Sequence, residues 1–572
     1  MRGADVSGAV LSPDRGVARA GVSRDALILR LGVAVLVGWL LLTIALPLWA
    51  LLSKSFQDGD GNFVGLANYV IYFSTPTLSR SIYNSVWVAL VSTAIVIPIA
   101  FIYAYTLTRT KIPMKGLLYS AALLPLFAPS LLSAISLIYL FGNQGLLKGM
   151  LFGGSIYGPA GIILAQIFYC FPHALIILVA ALALADARLY EVADALGTTK
   201  PRIFRTVTLP GAKYGLINAC FVVFTLVVTD FGIAKVIGGQ FNVLATDAYK
   251  QVVGQQNFAM GAVVGMVLLV PAVLAFFIDR LVQRQQVALL SARAVPLEPK
   301  QNRIRDITLT IYALAIAGLI VGVLGTAVWA SFITYWPYNL SLTLKNYEFG
   351  TFDAAAWSPY FNSLKMAALA AIIGTAIIFT GAYLVEKTKV SPGGRAIAHL
   401  LAMLPMAVPG LVLGLGYVFF VNAAWNPLNI FYGTLIVLVV NSIAHFYTVA
   451  HITALTALKQ IDPEFESVSA SLKVPVWRTF RRVTVPICMP AIFDIAIYIF
   501  VNALTTVSAV IFLYGPATKL ASVAIVHMDE AGMTAGAAAM ATLIVVTALA
   551  AKLLHVLLDR LVFMRLQAWR RR

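Results

Sequence analysis

Apolar runs of about 20 residues or more recur along this chain, each long enough to cross a hydrocarbon core about 30 Å thick. Lipid offers no partner to a backbone N–H or C=O, and the runs are too long for barrel strands, so they must be helices. Spans are expected near 27–53, 83–108, 117–142, 158–184, 214–237 and 258–279. A second set is expected near 306–333, 362–386, 397–422, 428–457, 488–514 and 534–558. The fold class is therefore an all-α membrane protein of about 12 transmembrane helices. Charged residues make up only 11% of the chain, against about 25% in a soluble domain. The first run is too long for a signal-peptide core and follows a polar segment, so it is expected to remain as a membrane helix.

The net charge of +18 invites a nucleic-acid reading, but its distribution argues against one. With a cytoplasmic N-terminus, most Lys and Arg fall on the cytoplasmic side. They include Arg2, Arg15, Arg19 and Arg24 at the start, Arg109, Lys111 and Lys115 after the second span, and Arg570 to Arg572 at the end. The opposite side mixes Asp58, Asp60, Glu348, Asp353, Asp529 and Glu530 with a few lysines. This is the positive-inside asymmetry, which places both termini in the cytoplasm and makes the bilayer, not nucleic acid, the partner. Cys170, Cys220 and Cys488 lie far apart, without metal-ligand spacing, and read as small core residues. The six histidines are scattered; His445 and His451 stand six apart, not at the four-residue spacing of a helical metal pair.

The chain repeats itself. Asn84-Ser85 and Asn362-Ser363 each open a span, and Thr110-Lys111 and Thr388-Lys389 each close it. Leu124-Pro125 with Pro129 returns as Leu404-Pro405 with Pro409, and Asp186 through Pro210 aligns without a gap on Asp462 through Pro486. Six spans per copy is even, so the halves enter the membrane in the same sense. Parallel repeats of that kind place a pathway at their interface. The expected organisation is a cytoplasmic segment 1–26, a first half 27–283, a polar cytoplasmic linker 284–305 and a second half 306–572.

A basic loop follows the fourth span of each half. In the first, Asp186 is a good N-cap, and Leu189, Val192, Ala193 and Leu196 fall on one helix face. Gly197 then ends the helix where positive φ is cheap, and Lys200 to Val207 leads to Pro210 and back into the membrane. In the second, Asp462 caps, Pro463 takes the first helical position, and Phe465, Val468 and Leu472 rebuild the stripe. Such a face either packs on its own membrane helices or the lipid surface, or docks a partner. The residues alone leave both open.

Glu191-x-Ala193-x-x-x-Gly197, followed by Phe204 and Leu209-Pro210, resembles the EAA loop of binding-protein-dependent ABC importer permeases. The second copy keeps Phe480 and Pro486 but has Ser467 for the Glu and Lys473 for the Gly. The resemblance implies two MetI-like halves in a bacterial inner membrane, with each loop helix seated in one of two copies of a separate ATPase. It also implies a periplasmic binding protein, received by outer loops near 54–80, 143–157, 238–257, 334–361 and 515–533. No G-x-x-x-x-G-K-[ST] phosphate loop occurs, so ATP and Mg are expected on the partner ATPase and no cofactor on this chain. A fused permease of this length resembles those for 2-aminoethylphosphonate and those for ferric iron. Segments 230–239, 467–475 and 505–514 look more like the former. An ion-gradient-driven transporter would share the topology but has no use for two basic amphipathic loops. A membrane-embedded enzyme would need clustered catalytic residues, and none appear.

An ionisable residue deep in a membrane helix costs about 2.5–3.5 kcal/mol on insertion scales, and usually faces a cavity or a partner. Asp230 is the best case, and the repeat sets it opposite Thr506, within Asn502-Ala-Leu-Thr505-Thr506-Val-Ser508. Asp230, Asn502, Thr505, Thr506 and Ser508 are therefore expected to border a translocation route. The competing reading pairs Asp230 internally, with Lys235 or with a backbone group near Gly232.

Overall fold

The computed structural model describes residues 24–289, 295, 297–299, 301–462 and 464–563. Arg2, Arg15 and Arg19, the linker residues Arg293, Pro296 and Lys300, Pro463 and the terminal Arg570 to Arg572 lie outside the described residues. Among the described residues, eight unbroken helices are long and apolar enough to span a bilayer: Arg24–Ser55, Pro76–Arg109, Pro159–Ala183, Lys200–Thr229, Phe258–Ile278, Arg303–Ser331, Ser358–Glu386 and Thr534–Leu561. Three bent helix pairs bring the number to eleven: Pro392–Ala407 with Gly410–Val421, Leu435–His445 with Tyr447–Lys459, and Val476–Ile487 with Met489–Thr505.

The expected span near 117–142 is in pieces, Lys115–Ala122, Leu124–Phe127 and Ser130–Phe141. Its repeat partner, near 397–422, is bent by 115°. Both breaks fall at the repeated prolines. Pro125 and Pro405 each sit at the start of a short 3-10 turn, and Pro129 and Pro409 precede the next helix with extended ψ near 140°. Proline lacks the N–H that would continue the ladder and crowds the carbonyl four residues back. The expected 488–514 and 214–237 spans also stop early, at Thr505 and Thr229, where the next residue is extended in both halves.

The halves are interlocked. The first span of each half packs on the other half's broken third span: Arg24–Ser55 against Pro392–Met403 and Gly410–Val421, and Arg303–Ser331 against Lys115–Ala122 and Ser130–Phe141. The Tyr417 hydroxyl donates to Thr43 O (2.7 Å), adding a hydrogen bond to the first crossing, and the Tyr312 hydroxyl donates to Ile99 O (2.8 Å) on the neighbouring second span of the first half.

The repeat extends beyond what the sequence displays. At the end remote from the basic loops, Asn68 Nδ2 donates to Ser55 O and Gln57 O, and Asn346 Nδ2 to Ser331 O and Ile333 O, in each case at 3.0 and 2.8 Å. Leu244 N donates to Ser85 Oγ and Ala521 N to Ser363 Oγ, both at 2.8 Å, fixing the helix that precedes each last span. The strand pair among the described residues, Ile333–Tyr335 with Asn339–Leu342, lies at this far end.

Candidate functional site

The two loop helices are Ala187–Ala195 and Glu464–Ser471. Asp186 Oδ1 accepts from Arg188 N (3.1 Å) and Asp462 Oδ1 from Glu464 N (2.9 Å), so each aspartate supplies an acceptor for a helix-start N–H. The exits also match. Gly197 stands at φ +68° and Lys473 at φ +53°, and Thr198 N→Ala193 O and Val474 N→Ser469 O close the turn at the same 3.0 Å. Lysine enters the left-handed region at a cost of about 1 kcal/mol that glycine avoids. The missing glycine therefore leaves the shape of the second loop unchanged.

Neither apolar stripe is covered. Leu189, Val192, Leu196, Phe465, Val468 and Leu472 are 45–77% exposed, while the smaller Ala193 beside the first stripe is buried. Glu191 and Ser467 also lie on the exposed side. Packing on the chain's own membrane helices is not how these faces are satisfied.

The mounting, by contrast, packs against the core. The Phe204 ring meets Phe101 and Tyr105, each at 6.1 Å, and the Phe480 ring meets Phe379 at 6.0 Å and Tyr383 at 4.7 Å. After each phenylalanine the backbone widens into a five-residue π turn, which Leu209 N→Phe204 O and Val485 N→Phe480 O close. Pro210 and Pro486 follow directly, having no N–H to contribute to a normal ladder. A cation at the end of each second span ties the fourth span and the loop together. Arg109 donates to Leu182 O (2.7 Å) beneath the Tyr190 ring, while Lys387 donates to Ile461 O (2.9 Å) and pairs with Glu466 (3.2 Å).

Chain entering each swapped first span also touches the opposite half's loop. Ala187 N donates to Val295 O (2.9 Å), just ahead of the second half's first span, and Val476 N donates to Asp25 Oδ2 (3.1 Å) at the start of the first half's.

At the seam, Asp230 Oδ2 accepts from Ile233 N (2.8 Å), at the start of the short helix Gly232–Ile237, and from Gln166 Nε2 (3.1 Å). Its carboxylate is thus held within its own half by a backbone group and an amide. Lys235 instead crosses to the second half, pairing with Glu530 at 2.5 Å, and its Nζ lies 4.7 Å from the Tyr249 ring. Tyr249 stacks on Phe512 across the same seam. The Lys235–Glu530 ion pair and the Tyr249–Phe512 stack thus join the halves here, alongside the ring contacts Tyr139–Trp336 and Phe258–Phe419. Outside the spans, Asp529 has its carboxyl pushed up to about 6 by burial and by neighbouring Glu530. Asp353 shifts the opposite way: burial opposes its charge, but the hydrogen bond and charge of Lys519 at 2.6 Å win.

Asn502 Nδ2 donates to Tyr498 O and Thr505 Oγ1 to Val501 O within their own helix, Thr506 N caps it on Asn502 O, and all three residues remain partly exposed. Ser508 sits against Gly410, and Ser130 against Gly232: a Cβ on either glycine would come within 2.9 Å of the facing Oγ. The serine has changed sides between the halves while the pair has stayed. Among residues that sequence reasoning passed over, Asp494 lies inside the fifth span of the second half, with His555 Nε2 at 3.3 Å. The criterion that selected Asp230, an acid within an apolar run, selects Asp494 equally.

Residues 96–287 and 377–564 each match the family described as "Binding-protein-dependent transport system inner membrane component". The chain is 28% identical over 490 residues to the ferric transport system permease protein FbpB of Actinobacillus pleuropneumoniae, covering 83% of this chain and 69% of that one. A provisionally named ferric transport system permease protein, FbpB 1 of Haemophilus influenzae, is 28% identical over 493 residues, 83% of this chain and 76% of its own. The spermidine/putrescine permease PotB of Haemophilus influenzae is 26% identical over 263 residues, 44% of this chain but 92% of PotB. With both repeats matched, across more than half its residues, the chain belongs to the binding-protein-dependent inner-membrane family, the permeases of ABC importers.

Proposed function

We propose that this chain carries a small solute inward across the bacterial inner membrane, driven by two copies of an ATPase that seat on the two loop helices. The supporting observation is the pair of uncovered apolar stripes, built to one backbone geometry and mounted on the membrane body by aromatics packed against its core. An apolar face that its own protein leaves bare is one that association can bury. On this reading the loops and both termini are cytoplasmic, and ATP with Mg stays on the partner. Glu191, Ala193, Gly197, Phe204 and Pro210, with Ser467, Lys473, Phe480 and Pro486, form or mount the levers. The far-end loops receive a periplasmic binding protein. Asp230, Asn502, Thr505, Thr506 and Ser508 border the route.

For the solute, the relatives named as ferric transport permeases support ferric iron. 2-Aminoethylphosphonate is the second reading, supported by the resemblance carried by segments 230–239, 467–475 and 505–514. The ligand held by the binding protein that docks on this chain decides between them. For the engine, vesicles containing the chain, its ATPase and a loaded binding protein should accumulate solute only with ATP inside the ATPase compartment. Accumulation by the chain alone under a proton gradient would overturn the reading and favour a secondary transporter.

A further inference from the structure

The halves differ most where their fourth and fifth spans approach the loop end. In the first half these spans are the unbroken Pro159–Ala183 and Lys200–Thr229. In the second they are bent by 54° after His445 and by 76° at Cys488. The second bend has a plain cause: Pro490 stands four residues after Pro486, so it cannot donate to that carbonyl and its ring crowds it. The first half has Tyr214 at the matching position.

Between the bent spans lies a cavity of about 400 Å³, whose polar lining is Thr453, Thr456, Gln460 and Asp494. The matching residues of the first half are Ile177, Ala180, Leu184 and Asn218. Thr453 and Thr456 donate their hydroxyl protons to Val449 O and Ile452 O, which leaves oxygen lone pairs for the cavity. The Asp494 side chain is 55% exposed, so its contact with His555 does not enclose it. A wall of hydroxyl oxygens and one carboxylate is acceptor-rich and negative. Asp494 also shares one face of the helix Met489–Thr505 with Asn502 and Thr505, eight and eleven residues on. Asp494, at the edge of the cavity, thus stands in line with residues assigned to the route.

We propose that this cavity is a transit site for the positively charged part of the solute, present on the second half alone. The chemistry it fits is an ammonium group or a hydrated metal cation, held by Asp494 with Thr453 and Thr456. This deepens the importer reading and rests on it.

The experiment uses vesicles with the whole complex: this chain, its ATPase and the loaded binding protein, tested with ferric ion and with 2-aminoethylphosphonate. Asp494→Asn should lower solute moved per ATP by about tenfold, the scale of one charge-assisted contact, while hydrolysis stimulated by the binding protein persists. Loss with the amine identifies an ammonium site and loss with iron a metal site. His555→Gln should leave transport near normal. If it reproduces the Asp494→Asn defect, the carboxylate serves only as the histidine's partner and the proposal fails. Unchanged transport in Asp494→Asn also overturns it. Should that variant fail to assemble, the near-isosteric Thr453→Val/Thr456→Val pair takes its place, and unchanged transport there overturns the proposal. A wild-type complex without stimulated hydrolysis removes the importer reading itself, a separate and recognisable failure.

Discussion

The first loop turns on Gly197 and the second on Lys473, yet the two turns close through the same hydrogen bond at the same length. Their anchors are equally mismatched in chemistry and matched in place. Arg109 lies beneath Tyr190 in one half, and Lys387 pairs with Glu466 in the other. The two loops share one backbone path although different side chains support it. What does not differ is the aromatic mounting, Phe204 and Phe480, and the proline that follows it. The loops are alike in shape and differ in charge and in the residue that ends the helix.

That contrast is broken most severely at residue 197. Gly197→Pro forces φ to about −65° where the loop needs +68°, and should abolish uptake and ATPase co-purification while the chain stays in the membrane. Gly197→Lys copies the second half, should cost about 1 kcal/mol, and should keep both activities. If the lysine variant fails as the proline one does, the loops are not equivalent and the contrast above is wrong. Uptake and pull-down of the ATPase measure both.

A smaller loss is expected at the seam. Asp230→Asn keeps an acceptor for Ile233 N but removes the charge, and the matching position of the other half, Thr506, carries none. Transport should fall severalfold while the ATPase still co-purifies. Wild-type kinetics would reduce Asp230 to a helix cap. Smaller again is the pair of anchors. Tyr190→Leu and Glu466→Gln each remove one partner of a cation that keeps its backbone carbonyl, so each should cost about 1 kcal/mol in thermal unfolding. A much larger cost on one side would mean that the loops are carried by different members of their anchoring sets.

Much of this was legible in the sequence because it rests on local rules. Run length gave the spans, Asp186 and Asp462 the helix starts, and the gapless repeat the paired loops. The breaks at Pro125, Pro129, Pro405 and Pro409 could have been read from the same residues, but hydropathy averages over a proline and hides the bend. Partners distant in sequence were another matter. Nothing local shows that Lys235 reaches Glu530, that Tyr417 reaches Thr43, or that each first span lies on the opposite half. Those depend on how interlocked helices stack, and one sequence carries no record of it. Asp494 satisfies the same rule as Asp230 and could have been read from the sequence, but the cavity beside it comes from the bend at Cys488, which no local rule displays.

The smallest expected effect concerns pH, and it too separates the halves. Asp529 and Glu530 stand where the first half has Val252 and Val253, a register fixed by the matched Ser85–Leu244 and Ser363–Ala521 contacts. The carboxyl of Asp529 titrates near 6 in the folded chain, raised from 3.8 by burial and then by Glu530, with Lys235 pulling the other way. A raised acid stabilises the fold when protonated, so its contribution is complete below about pH 3.8 and disappears as pH climbs through about 6. The groups around it include His527, whose charging burial pushes below its usual range, with Lys519 adding to the effect. Protonating that imidazole would act in the opposite sense. The Lys235–Glu530 seam should therefore be tighter near pH 5 than near pH 7, read as a shorter spin-label distance across the far end. Asp529→Asn should flatten that difference and His527→Gln should steepen it. If the asparagine variant keeps the wild-type slope, the titrating group lies elsewhere, and the asymmetry at this end has no bearing on how the halves separate.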